Sequence, residues 1–412
     1  MKMLKKFLAL ALVLVMVASL AACGASDPGS QGSNPPVGQN SEHPADQNSE
    51  ALTGDNTVET VHHKIGIAHY VDSGKAVDGL KAFLKGLEGP VNLEFVYATL
   101  STYDEATNLT AIQNLISSGC EGILMSADMG TPAILEECAA AGVYVAGFLC
   151  DYNQSFWTAN EEVFGNEYFL GTVCDGKADL GFYANDVADK IIEGGYKHVG
   201  VVIFPEYAYP NQAAASKTFR EKIDAYNATA ADADKIEVYE DQVLNFAPLE
   251  ATYFSNYPDM DALFSIAAGA GMVYPTMVSS GKTNIPLYTS GFEGTDDADN
   301  FGSSGNGCFQ GTLCSTPEAI VYPLCLMIDK LNGTTYADLP EKAERVDCSV
   351  LEIMSDEDMS KVKSSALYYS ADFTHSFLTA EDVISLCASY NPSATYAGLV
   401  DAINHMSVAD LK

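Results

Sequence analysis

The chain has 412 residues, with 55 Asp plus Glu against 21 Lys plus Arg and a formal net charge of −34. A surface this negative repels nucleic acid and anionic lipid, and no basic stripe offsets it, so nucleic acid is not an expected partner. The length suits two domains better than one.

The first segment in chain order is a targeting signal. Residues 1–6 carry three lysines, 7–20 are apolar, and Ala21-Ala22 precede Cys23. A basic start, a short apolar core and small residues at the cut are the pattern of a secretory signal. The apolar run is shorter than the roughly 20 residues that a membrane-spanning helix needs. Leu20-Ala21-Ala22-Cys23 resembles the bacterial lipobox. That resemblance implies loss of residues 1–22 and lipidation of Cys23, and hence a lipid anchor on the extracytoplasmic face of the bacterial cell membrane. The alternative is an ordinary signal peptide followed by an incidental cysteine. Two or more acyl chains give stable anchoring where one is marginal. Residues 23–62 are rich in Ser, Gly, Pro, Asn, Gln, Asp and Glu, the composition of a disordered tether. As a flexible coil it would reach roughly 35 Å.

From residue 63 short β-like runs alternate with helical stretches. Strands are expected at 63–68, 91–97, 122–126 and 143–149, and helices at 73–87, 104–118 and 131–142. Ala76, Leu80, Phe83, Leu84 and Leu87 share one helical face, as do Leu109, Ile112, Leu115 and Ile116. Thr131 suits an N-cap and Pro132 a first turn. The rhythm repeats. Strands are expected at 169–174, 198–204, 236–239, 262–267, 285–290 and 308–314, with helices at 177–192, 213–226, 248–255, 272–280 and 316–331. Residues 355–412 hold helical stretches at 380–389 and 396–405 and no motif. Strand and helix in alternation give an α/β fold with parallel sheets. The wholly apolar run at 199–204 belongs to a sheet covered on both faces.

The ten cysteines are 23, 120, 138, 150, 174, 308, 314, 325, 348 and 387, none in a C-x-x-C pair. Apart from Cys23 most lie in apolar runs and are expected as small core residues, with a Cys308–Cys314 bridge left open. The seven histidines show no ligand spacing, so no metal is expected, and no cofactor motif is present. There is no G-x-S-x-G elbow, P-loop or H-E-x-x-H, so the chain is not expected to be an enzyme.

Several short segments carry a resemblance. Ile65-Gly66-Ile67 opens a strand–loop–helix unit. Gln113 to Ile116 followed by Gly119-Cys120-Glu121-Gly122-Ile123 is similar to "Q-x-x-I … G-V-D-G-I", with Glu for Asp. Ala141 to Val145 resembles "A-G-I-P-V", and Ile285-Pro286 through Gly291-Phe292-Glu293 resembles "I-P-V-V-G-F-D". Leu331-Asn332-Gly333 matches an "L-N-G" helix end. Their order resembles the type I periplasmic binding proteins, the ribose/galactose-binding receptors of transporters. The resemblance implies two Rossmann-like lobes with parallel sheets, joined by a hinge of three crossings. The expected lobes are 63–160 plus 315–345, and 161–314 plus 346–412. It further implies a monomer that binds a small-molecule ligand between the lobes and delivers it to an ABC permease. The alternative is a ligand-sensing co-receptor for a membrane sensor kinase.

Ligands of open α/β sheets sit at the C-terminal ends of the strands. Those loops supply His69, Tyr70 and Asp72; Ser126 and Asp128; Asp151, Tyr152 and Trp157; Glu206, Tyr207 and Tyr209; and Glu293. Aromatic rings would stack on a sugar or base, and carboxylates would fix hydroxyls or amines. Two departures bear on the ligand. The helix at 213–226 lacks a clean counterpart of the family's ligand-binding Arg, leaving Arg220 for an exposed face. Ala267 to Gly271 forms a Gly-rich turn somewhat like that of the nucleoside-binding basic membrane lipoproteins. With acids but no arginine in these loops, the expected solute is neutral or cationic, sugar-like or nucleoside-like.

Overall fold

The structure is a computed structural model. It describes residues 61–412 apart from 71, 73–74, 102–103, 151, 153–160, 175–178, 208, 293–295, 365–376 and 412. The expected signal, Cys23 and most of the expected tether therefore lie outside the described residues, as do Asp151, Trp157 and Glu293.

The first half builds one sheet. Strands β1 (His63–His69), β2 (Leu93–Thr99), β3 (Gly122–Met125) and β4 (Tyr144–Phe148) alternate with helices α1 (Lys75–Leu87), α2 (Glu105–Ser117) and α3 (Thr131–Ala141). The chain adds β5 (Phe169–Cys174) before leaving this sheet. Every pairing is parallel, with His63 opposite Leu93 and Ile65 opposite Gly122. Parallel strands are buried on both faces. Ile65, Ile67, Ile123 and Val145 are accordingly sealed, and α1 lays Leu80, Phe83, Leu84 and Leu87 on the core. In α2, Ile112 and Leu115 are buried, while Leu109 and Ile116 are only partly so.

The second sheet repeats the plan. It contains β6 (His198–Ile203), β7 (Glu237–Val238), β8 (Gln242–Val243), β9 (Ala262–Ser265), β10 (Leu287–Thr289) and β11 (Phe309–Ser315). Helices α4 (Gly181–Gly194), α5 (Pro210–Asn227), α6 (Thr252–Asn256), α7 (Tyr274–Ser279) and α8 (Asp296–Asp299) accompany them. Helix α9 (Val321–Leu331) then returns to the first sheet and packs on β3, β4 and β5. The approach is close: a side chain at Gly122 would meet Met327 Sδ at 2.2 Å. Next, β12 (Arg345–Asp347) joins β5, and β13 (Val350–Ile353) joins β11 antiparallel. The strand orders are β12-β5-β4-β3-β1-β2 and β13-β11-β10-β9-β6-β7, with β8 also on β6. The chain thus passes between the sheets three times, after Cys174, after Ser315 and after Asp347. Helices α10 (Asp356–Ser364), α11 (Ala380–Leu386) and α12 (Tyr396–Asn404) complete the fold.

Several expectations need correction. Residues 161–174 are expected in the second lobe from the sequence, but backbone pairing to β4 and β12 places Phe169–Cys174 in the first sheet. Residues 380–404, also assigned to the second lobe, pack as α11 and α12 on α9, over the first sheet. Thr131 is not an N-cap. Gly130 holds that position with φ 81°, and the Thr131 hydroxyl donates to the Asp128 carbonyl at 2.6 Å. Arg220 is not a free surface group, because it pairs with Asp241 and donates to the Tyr239 carbonyl. The Gly-rich turn has a packing reason: a side chain at Gly269 would meet Thr289 Cγ2 at 2.2 Å. Of the nine described cysteines, all but Cys150 are buried. Cys308 and Cys314 direct their thiols to different carbonyls, those of Ile285 and Ser315.

Candidate functional site

The third crossing fixes how the two sheets meet. Asp347 pairs with Cys174 at the C-terminal edge of the first sheet, and Val350 pairs with Ser315 at the C-terminal edge of the second. Only Cys348 and Ser349 separate them. The strand ends of both sheets therefore adjoin the same short link. The candidate residues cluster along these two edges.

On the first sheet, His69 ends β1. Its ring lies 5.0 Å from Tyr70 and 5.4 Å from Phe148, the last residue of β4. The Tyr70 amide donates to Ser126 Oγ at 3.0 Å, so Ser126 ties the loop after β3 to the end of β1. Tyr70 exposes its ring, while Ser126 and Asp128 are buried. Asp72 is exposed, and its carbonyl accepts from Lys81 Nζ at 3.2 Å. His69, Asp72, Lys81 and Thr99 border a small cavity of about 80 Å³ at this edge.

Two residues behind this edge do work that sequence reasoning assigned differently or missed. Asn108 is fully buried in α2. Its amide donates to the carbonyls of Ser101 and Met129 at 2.8 and 3.0 Å, and its oxygen accepts from the Ser101 amide. It thereby stitches the loop after β2 to the loop that carries Asp128. Tyr152, expected among the loop aromatics, is fully buried with φ 55°. Its hydroxyl has no hydrogen-bond partner. Burial pushes that hydroxyl's pKa far up, with the charges of Cys150 and Asp128 adding to the shift.

On the second sheet, Glu206 and Tyr207 lie exposed in the turn after β6. Beside them Phe204 packs against Tyr209 at 5.1 Å and stacks on Phe246 at 5.4 Å. Gln212, buried in α5, holds this turn by accepting from the Phe204 amide at 2.8 Å. Phe148, Phe204 and Phe246 were not among the sequence candidates. For the first two a signal existed: each is the aromatic at the end of a wholly apolar strand. Phe246 follows a strand too short and polar to read.

A second, larger cavity of about 830 Å³ lies at the opposite, N-terminal edge of the first sheet, lined by residues such as Tyr144, Phe164, Tyr322, Glu344 and Tyr396. Three of its polar groups bond one another. The Tyr396 hydroxyl donates to Glu344 at 2.8 Å and lies 3.0 Å from the Tyr322 hydroxyl. Lys330 sits over the Tyr144 ring at 5.0 Å. None of the candidate residues reaches it.

Among the described residues no three His, Cys, Asp or Glu side chains gather as a metal site, and no helix is long and apolar enough to cross a membrane.

No family model and no curated protein matches the sequence. Solved structures do match in fold. A solute-binding protein of an ABC transporter from Burkholderia graminis, in complex with D-arabinose, superposes with a TM-score of 0.51 at 12% identity, covering 73% of this chain and 97% of that one. A substrate-binding protein of a sugar ABC transport system from Bordetella parapertussis gives 0.52 at 11% identity, covering 77% and 96%. A sugar-binding protein from Bacillus halodurans gives 0.50 at 18% identity, covering 75% and 100%. The fold is that of the type I periplasmic binding proteins. In this fold the three crossings link the two α/β lobes, and the candidate residues lie on the strand-end edges of both sheets. At such low identity the likeness carries the architecture and no ligand.

Proposed function

We propose that this chain is the solute-binding lipoprotein of an ABC importer, taking a small neutral or cationic polar solute, sugar-like or nucleoside-like, between its lobes. The carrying observation is the pair of aromatic groups on the adjoining strand ends, His69–Tyr70–Phe148 on one sheet and Phe204–Tyr209–Phe246 on the other. Rings on both walls suit a flat solute, and the acids Asp72, Asp128 and Glu206 beside them suit hydroxyl or amine donors. The fold neighbours, a solute-binding protein holding D-arabinose and a substrate-binding protein of a sugar transport system, support the sugar-like class. Closure of the lobes would bring the two ring groups onto one ligand and bury the acids with it. Asp151, Trp157 and Glu293 belong to the same strand-end loops in sequence and are proposed as further contacts. Lipidation at Cys23 would hold the binder close to its permease, raising the effective solute concentration there.

The test is a melting screen of the mature chain with aldopentoses, aldohexoses, nucleosides and polyamines. A solute at about 100 times its dissociation constant should add about 2.7 kcal/mol of stability. Calorimetry on Asp128→Asn should then show the affinity for that solute falling at least about tenfold, as expected when a charge-assisted hydrogen bond is weakened. A screen in which no class raises the melting temperature would overturn the solute-binding reading.

A further inference from the structure

The chain does not end at its third crossing. After β13, α10 stays with the second sheet, where Asp356 accepts from the Ser303 amide at 3.0 Å. Helices α11 and α12 then lie on α9, over the first sheet. The last turn, Val408–Asp410, returns to pack on β13 and α10 of the second. The final return is made within residues 405–407, and it runs over the hinge. The Ser349 amide, in the third crossing, donates to the Ile403 carbonyl at 2.9 Å. The Met406 amide donates back to Ser349 Oγ at 3.2 Å. Thr316, in the second crossing, directs its hydroxyl to Met406 Sδ at 3.8 Å. Thr316 and Met406 are both buried, 1% and 6% exposed.

We propose that residues 403–410 are a strap that restricts opening of the lobes. Both ends are anchored. Ile403 is fully buried in α12 on the first lobe, and Val408 is 7% exposed against the second. The Val408–Asp410 turn is itself locked, since Asp410 accepts from both the amide and the hydroxyl of Ser407. The four residues between Ile403 and Val408 reach at most about 3.6 Å each when extended. Rotation about the Cys348–Ser349 link must therefore stretch the strap and break its two bonds to Ser349. Without the strap only the three crossings themselves would resist the swing. Restricting that swing before ligand arrives lowers the ordering cost of closure and so tightens binding. The consequence for binding rests on the solute-binding reading, but the restriction itself does not.

The experiment therefore uses the ligand-free mature chain. A four-residue Gly/Ser insertion between His405 and Met406 lengthens the strap and keeps both anchors. Hydrogen exchange should show the Ser349 and Met406 amides exchanging at least about tenfold faster, with the strands of both sheets still protected. Small-angle scattering should show a larger radius of gyration. Unchanged exchange at Ser349 together with an unchanged radius overturns the proposal. If the insertion variant does not fold, Ser349→Ala decides. It removes the acceptor for Met406 alone, so the Met406 amide should exchange faster and the radius should rise. An unchanged radius in a folded Ser349→Ala protein with a freed Met406 amide also counts against the strap.

Discussion

Glu318 is fully buried just past the second crossing, and only one of its carboxylate oxygens is paired, accepting from the Phe377 amide at 3.2 Å. Burial raises its pKa to about 7, against the pull of those backbone donors. A carboxyl whose folded pKa is raised contributes stability at low pH and loses it as pH climbs through the folded value. Here the loss falls between about pH 4.5 and somewhat above 7. Glu318→Gln cannot ionise, yet it buries an amide with one unmet side. Its stability relative to the wild type should improve by about 1–3 kcal/mol on going from about pH 5 to about pH 8. Denaturant melts at the two pH values check this, and parallel curves would contradict it. Glu352, also raised to about 7 by burial and by neighbouring Asp186, is present in both proteins and cancels in the difference.

Helix α9 acts as the post to which the C-terminal helices are tied. Asp329, buried on α9, accepts from the amides of Ala388 and Ser389 at 2.8 and 2.7 Å, just past the end of α11. The Tyr336 hydroxyl donates to the Leu386 carbonyl at 2.8 Å, and Asp338 receives the first amides of α12. Asp329→Ala should leave the buried Ala388 amide and the half-buried Ser389 amide unmet and cost about 2–4 kcal/mol. The loss should localise, so limited proteolysis should cut near residues 386–392 before it touches the sheets. Cutting at the same rate as in the wild type would show that Asp329 does not anchor the tail. At this scale most helices and the long strands were legible in the sequence, whereas α8 and α10 were not. The faces of α1 and α2, with Phe83, Leu84 and Ile112 inward, follow from periodicity alone. Strands β8, β12 and β13 were not, because two to four residues with polar members carry no period to read.

For the whole molecule, a net charge of −34 makes self-repulsion a standing cost of compactness. Salt screens it, with a Debye length falling from about 10 Å at 0.1 M to about 3 Å at 1 M. The melting temperature should therefore rise with sodium chloride from about 0.02 to 0.5 M, where a protein held by exposed ion pairs would lose stability. A flat or falling curve, read by differential scanning fluorimetry, would contradict this. The candidate site was half legible at this scale. His69, Ser126, Asp128 and Glu206 sit at strand ends because strand ends can be read from apolar runs. Asn108 was not legible, since an Asn inside a helix looks like any other until two loops fold onto its amide.

The sequence by itself determined the alternation of elements, the parallel sheets and the strand-end loops, because burial on both faces leaves a periodic apolar signature. The proposed targeting role of the segment before Cys23 likewise rests on the local order of charge, apolar run and small residues alone. Only the tertiary structure decided which sheet each segment joins. Phe169–Cys174 looks the same in either lobe, and backbone pairing with β4 alone places it in the first. Likewise the final residues show nothing in one dimension that marks them as crossing a hinge. Met406 meets Thr316 and Ser349 only once three distant stretches of chain have been brought to one point.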